Sequence, residues 1–115
     1  MNESRPAADP LFSELAGDPV MAELVEEFVA ELPARVRSIQ LACAEADLDT
    51  LTRLAHQLKG SAGGYGFPTI TDAARDAEQL AKAGTAVPQL AAAVDALASL
   101  CRRAAGGADN PEQAG

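Results

Sequence analysis

The sequence lacks most of the residues that would build a β fold, a disulfide framework or a metal site. It has no tryptophan, one tyrosine, three phenylalanines, one histidine and two cysteines among 115 residues. Because strands favour aromatic and β-branched residues, this composition argues against an all-β fold. Cys43 and Cys101 lie far apart and outside any CxxC pattern, which predicts neither a zinc site nor a disulfide. We expect both to be small buried residues of a protein in a reducing compartment.

Basic residues are also scarce. Lys and Arg number 9 against 17 Asp and Glu, which gives a formal net charge of -8. Nucleic acids and anionic membranes are bound by clustered Lys and Arg, so the composition argues against both partners. Residues 1–10 lack the basic start and apolar run of a signal peptide, and no apolar stretch approaches the ~20 residues that span a bilayer. We therefore expect a cytoplasmic, soluble protein.

Alanine, a strong helix former, is the commonest residue in the chain. Apolar residues at helical spacing predict four amphipathic helices, which open at Asp18–Pro19, at Asp47 or Asp49, at Pro68, and between Thr85 and Pro88. The third helix is expected to close at Gly84. Four such helices can bury their apolar faces only against one another, so we predict an all-α, up-down-up-down four-helix bundle over residues 11–105.

Smaller features of the bundle follow from local sequence. Pro33 lies inside the first helical pattern, where it predicts a kink or a change of helix. Residues 11–16 are expected to add a short N-terminal lid helix. Residues 1–10 and 106–115 are polar or rich in Gly and Pro, so we expect flexible tails at both ends.

The single histidine lies on the exposed side of the predicted second helix. At about 100° per residue, the apolar stripe of that helix clusters in one direction and His56 falls roughly 130° away from it. We therefore expect His56 to face solvent. The same calculation places Arg53 one turn before His56. It places four further residues on the flank around His56: Thr52, Lys59, Gly60 and Gly63.

Two features of this flank suggest a partner or an anion. Gly60 costs a helix about 1 kcal/mol relative to alanine, and its bare backbone would let another protein approach His56; alternatively, it only allows close helix packing. No acidic residue occurs between Thr50 and Thr71, whereas Arg53 and Lys59 flank His56. The positive charge of Arg53 and Lys59 would favour a phosphoryl group or another anion beside His56. Alternatively, both are ordinary solvated side chains on an exposed helix face.

Residues 55–67, AHQLKGSAGGYGF, resemble the phosphoacceptor helix of histidine-containing phosphotransfer (Hpt) domains. That motif reads roughly His-x-Leu-Lys-Gly-small-small with a further Gly ten residues after the His. Seven positions match it: His56, Leu58, Lys59, Gly60, Ser61, Ala62 and Gly66. The resemblance extends over the four-helix layout from about Asp18 to Arg103.

The resemblance implies a phosphocarrier rather than an enzyme. Hpt domains relay phosphoryl groups between receiver-domain aspartates of response regulators, or accept one from a sensor histidine kinase. It implies that His56 is phosphorylated, that Lys59 lies beside the phosphate, and that Gly60 leaves room for the partner. We expect a monomer that needs no cofactor or metal of its own, because the partner supplies the Mg²⁺ and the acidic pocket.

The resemblance also implies a hydrogen bond from the imidazole to Glu78, which lies 22 positions after His56. Glu78 falls roughly 110° from the predicted core direction of its helix, on a flank shared with Thr71, Arg75 and Lys82. A carboxylate that accepts the Nδ1 proton would fix the tautomer and leave Nε2 as the nucleophile. The alternative is that Glu78 forms only an i,i+4 pair with Lys82. Lys82 is also predicted to add positive charge near the phosphate.

The predicted docking face surrounds His56. We expect six residues to contact the partner: Thr52, Arg53, Gly60, Gly63, Phe67 and Lys82. Phe67 and Tyr65 fit equally well as core residues at the end of the bundle. The alternative function is a four-helix module that docks receiver or kinase domains without being phosphorylated.

Overall fold

A computed structural model of the chain describes residues 10–106. Its four helices are α1 (Ala22–Ala44), α2 (Leu48–Gly64), α3 (Pro68–Lys82) and α4 (Val87–Arg103). Each helix packs on two others, in the order α1, α2, α3, α4 and back to α1. The predicted four-helix bundle is therefore confirmed. The predicted tails lie outside the described residues, apart from Pro10 and Gly106 at their inner ends.

Three of the helices, α2, α3 and α4, begin where the sequence predicts, and α4 does so at Val87. The Asp47 carboxylate accepts the N–H of Thr50 at 3.2 Å and caps α2. Hydrogen bonding from the Thr50 side chain, and then from its backbone N–H, lowers the pKa of Asp47. Pro68 is the first residue of α3, a position where its missing N–H is not needed.

The predicted start of α1 is wrong, because α1 begins at Ala22 rather than at Asp18–Pro19. The Asp18 carboxylate accepts the N–H of Val20 at 2.9 Å, as an N-cap would, but residues 19–21 form a turn before the regular helix. α1 continues through Pro33 as one helix, so the predicted change of helix does not occur. The apolar stripe of α1 buries Phe28, which stacks on Tyr65 with ring centroids 4.8 Å apart.

The core lies along the axis of the bundle and is built mainly from aliphatic side chains and alanines. Its largest fully buried members are Leu32, Ile39, Leu51, Leu58, Phe67, Ile70, Leu90 and Leu97. Cys43 and Cys101 are free thiols and both are buried in this core, which confirms their predicted role. Burial raises the pKa of Cys101 to about 11.

The predicted lid helix over residues 11–16 does not form. Instead, β1 (Leu11–Phe12) pairs in parallel with β2 (Ala104–Ala105), immediately after α4. The Ser13 hydroxyl donates to the carbonyl of Tyr65 at 2.6 Å, and the N–H of Glu14 donates to the carbonyl of Gly66 at 2.8 Å. Polar groups of this segment are thus satisfied by distant partners rather than by a local helix, and the segment joins the α2–α3 connection to the end of α4.

Candidate functional site

His56 lies at the middle of α2 and points out of the bundle. Its side chain is 65% exposed, while Leu51, Ala55, Leu58 and Ala62 of the same helix are buried. The predicted exposure of His56 is therefore confirmed. A side chain so placed can be reached by another protein without any opening of the core.

Glu78 of α3 lies beneath His56 and contacts three basic groups. Its Oε2 lies 2.8 Å from His56 Nδ1 and 3.5 Å from Lys82 Nζ, and its Oε1 lies 2.8 Å from Lys59 Nζ. The expected contact with the imidazole is therefore present. So is the i,i+4 pair with Lys82, and the two are not alternatives.

Glu78 is far more buried than its predicted place on a flank of α3 implies. It is only 3% exposed, because the core face of α3 is turned from the predicted stripe of Ile70, Ala73, Ala77 and Leu80. The residues buried beside Glu78 are Ile70, Ala74, Ala77 and Ala81, whereas Ala73 and Leu80 are half-buried. Alanine at so many positions of this helix leaves its rotation undetermined by periodicity alone.

The protonation state of Glu78 fixes the tautomer of His56. The hydrogen bond from Lys59 lowers the pKa of Glu78 to about 2; burial opposes this, and the contact with His56 adds to it. At neutral pH the carboxylate is therefore ionised and can only accept hydrogen bonds. Nδ1 of His56 must then carry the proton, which leaves the lone pair of the neutral ring on Nε2.

Three basic side chains lie near the imidazole, but one of them, Lys59, is engaged by Glu78 and does not face a ligand. An open depression between α2 and α3 is lined by Asp49, Thr52, Arg53, His56, Gln57, Glu78, Ala81 and Lys82. Arg53 is exposed, and Lys82 remains well exposed despite its contact with Glu78. Lys59 is directed to Glu78 instead of into the solvent beside His56, so its first role in this structure is to hold the carboxylate.

The predicted docking residues do not all lie on the surface. Gly60 is exposed, and a side chain there would meet no described atom within 4 Å. Gly63 is also exposed, although a Cβ there would lie 3.3 Å from the hydroxyl of Thr71. Thr52 is half-buried and its hydroxyl donates to the carbonyl of Leu48 at 2.7 Å. Phe67 is 1% exposed, so its prediction as a partner contact is wrong and its alternative place in the core is correct.

Sequence reasoning placed Thr71 on the flank of α3 that carries Glu78 but gave it no role in this site. Its hydroxyl donates to the backbone carbonyl of Lys59 at 3.0 Å and joins the first turn of α3 to α2. Thr71 lies seven residues before Glu78, two helical turns along the same face. That spacing predicts its position on the flank but not the carbonyl to which it donates.

Residues 10–106 contain no group of His, Cys, Asp and Glu side chains arranged to hold a metal ion. Within the same range, none of the helices combines the length and the apolarity that crossing a bilayer requires.

The site agrees with a comparison to known protein families. The model of the Hpt domain matches residues 23–114, which is most of the chain and includes every residue of the His56 site. No curated protein and no solved structure matches the sequence. Hpt domains take part in histidine phosphotransfer in phosphorelays, and an exposed histidine within a four-helix bundle suits that task. This chain belongs to the Hpt domain family.

Proposed function

We propose that this protein accepts and donates a phosphoryl group on Nε2 of His56. Its partners would be the receiver domain of a response regulator, a sensor histidine kinase, or both. The observation that carries the proposal is an imidazole 65% exposed to solvent whose Nδ1 lies 2.8 Å from a buried carboxylate. This arrangement offers one ring nitrogen to a partner and holds the other.

The transfer step requires little from this chain beyond an aligned nucleophile. The Nε2 lone pair attacks the phosphorus of an aspartyl phosphate in line, the bond from phosphorus to the aspartate oxygen breaks, and the electron pair leaves with the carboxylate. The ring keeps its Nδ1 proton and becomes a positively charged phosphoimidazolium. The carboxylate of Glu78 stabilises that charge, and the reverse step returns the phosphoryl group to an aspartate.

The chain acts in this scheme as a phosphocarrier, and the partner supplies the Mg²⁺ that neutralises the transferred group. Arg53 and Lys82 flank His56 in the depression between α2 and α3, where they add positive charge for the phosphoryl group and for the acidic pocket of a receiver. Gly60 would lie at the contact surface, because no side chain there holds the partner away from the ring.

We further propose that the protein acts in the cytoplasm. The support is chemical: Cys43 and Cys101 are both unpaired, a state that a reducing compartment maintains.

The decisive experiment is phosphoryl transfer from radiolabelled, phosphorylated receiver domains in the presence of Mg²⁺. The wild type should take up label in a form that is labile to acid and stable to base, as expected of phosphohistidine. His56→Gln should take up none while keeping the circular dichroism spectrum of the wild type. Receivers from the same genome should be compared, since the preferred partner should transfer fastest.

Two outcomes would count against the proposal. Label that persists in His56→Gln would place the phosphoryl group elsewhere. A receiver that binds the wild type and His56→Gln equally well, with no label passing to either, would support the phosphorylation-independent docking module instead.

A further inference from the structure

Thr71 makes a hydrogen bond between α3 and α2 that neither helix needs for its own backbone. The hydroxyl donates to the carbonyl of Lys59 at 3.0 Å. In a regular helix that carbonyl already accepts the N–H of the residue four positions later, here Gly63. Thr71 therefore adds a second donor to a carbonyl inside α2 and fixes one point of contact between the two helices.

Gly63 gives this hydroxyl the space it occupies. A Cβ at position 63 would lie 3.3 Å from Thr71 Oγ1, closer than an ordinary van der Waals contact. Alanine is favoured over glycine by about 1 kcal/mol within a helix, and this chain uses alanine freely. The hydroxyl therefore gives Gly63 a packing role in addition to its place in the last turn of α2.

The contact at Thr71 is linked to the contact at His56 through Lys59. Lys59 meets α3 twice: its carbonyl accepts the Thr71 hydroxyl, and its ammonium lies 2.8 Å from Glu78 Oε1. The other oxygen of Glu78 lies 2.8 Å from His56 Nδ1. A slide or rotation of α3 along α2 would therefore break the Thr71 bond and displace the carboxylate from the ring together.

We infer that Thr71 is a positioning residue for His56. Its hydroxyl sets the register between α2 and α3 that holds Glu78 against Nδ1, and Gly63 leaves room for this hydroxyl beside its acceptor. The inference deepens the proposed function and, for its effect on phosphotransfer, rests on it.

The first test compares Thr71→Val, which keeps the shape and removes the hydroxyl, with Thr71→Ser, which keeps the hydroxyl. In the wild type and Thr71→Ser, the ¹⁵N shifts of His56 should show a single tautomer with the proton on Nδ1. In Thr71→Val they should move towards those of mixed tautomers, and phosphotransfer should slow by about 2- to 10-fold, the effect of one lost hydrogen bond. Unchanged ring shifts together with an unchanged transfer rate in Thr71→Val would overturn the inference.

The second test is a double-mutant cycle on Gly63 and Thr71, read as melting temperature. Gly63→Ala should lower the melting temperature or leave it unchanged in the wild type, because the new methyl group presses on the hydroxyl. In a Thr71→Ala background the same change should raise it, since the obstruction has gone. Equal shifts in both backgrounds would show that Gly63 does not serve the hydroxyl and would contradict the inference.

The results of both tests can be interpreted even if the proposed phosphotransfer function is wrong. Ring shifts and melting temperatures need no phosphoryl transfer, so a wild type that takes no label would refute only the relay. Should Thr71→Val fail to fold, Thr71→Ala set against Thr71→Ser makes the same comparison of ring shifts.

Discussion

Glu78→Gln should lower the free energy of unfolding by about 3 kcal/mol at pH 7. Each pKa unit corresponds to about 1.4 kcal/mol of preference for the ionised form, and the pKa of Glu78 is lowered from 4.5 to about 2. Glutamine has the same size but no charge. It also turns an NH₂ group towards Lys59 Nζ or His56 Nδ1, both of which are donors. A loss of about 3 kcal/mol is a large part of the 5–15 kcal/mol typical of a small domain.

The matched control is Glu31→Gln in α1. Glu31 also forms an ion pair, with Arg35 at 3.3 Å, but its side chain is 60% exposed. Exposed pairs contribute about 0–1 kcal/mol, so this variant should stay close to the wild type. Urea unfolding followed by circular dichroism measures both. The reasoning about Glu78 would be refuted if Glu78→Gln destabilised the protein no more than Glu31→Gln does.

The pH dependence gives an independent check on the ionic origin of the effect. The pKa of Glu78 is lower in the folded protein, so its contribution is fully present above about pH 4.5 and is lost as the pH falls towards 2. The stability difference between the wild type and Glu78→Gln should therefore shrink to roughly half between pH 7 and pH 3. A difference that stays constant over that range would show that packing, and not charge, is the cause.

Further predictions concern other parts of the bundle. Gly60→Ala should raise the melting temperature, since helix propensity favours alanine by about 1 kcal/mol and no atom lies near the new methyl group. The bulkier Gly60→Leu should slow phosphoryl transfer from a receiver without unfolding the chain. Equal transfer rates in Gly60→Leu and the wild type would show that Gly60 is not part of the docking surface. Gly66→Ala should cost about 2 kcal/mol or more in urea unfolding, because Gly66 has φ of +85° and Ser13 lies against it; a smaller loss would mean that the Ser13 contact gives way easily. The Cys101 thiol should react with Ellman's reagent only as fast as the protein unfolds, since it is buried and its pKa is raised to about 11; rapid labelling of the native protein would contradict this. Asp47→Ala should lower the melting temperature through loss of the cap on α2, and an unchanged melting temperature would show that water replaces the cap.

Local sequence signals predicted the features that local physics controls. Asp47 and Pro68 marked the starts of their helices because a cap and a missing N–H act within one turn. The phase of His56 followed from four apolar residues on α2 whose direction is unambiguous. Exposure of the histidine, the most important feature of the site, therefore needed only periodicity.

Features that depend on distant partners could not be predicted in this way. The rotation of α3 is set by packing, since Ala73, Ala74, Ala77 and Ala81 would allow several core faces, and the burial of Glu78 depends on that rotation. The strand at Leu11–Phe12 exists only because residues 104–105 lie beside it. The hydrogen bond from Thr71 to Lys59 could not be predicted, because one hydroxyl bonded to a backbone carbonyl leaves no compositional trace.

The pairing of Leu11–Phe12 with Ala104–Ala105 brings together segments separated by almost the whole chain. Bringing such remote segments together carries a large entropic cost, so this short ladder can form only after the helices have assembled between them. Its amide protons should accordingly be among the first to exchange with solvent when the native protein fluctuates. Pro10 and Gly106 flank this ladder, so a circular permutant of residues 10–106, in which a short linker joins these two positions and a new start is opened at a loop, should keep the fold.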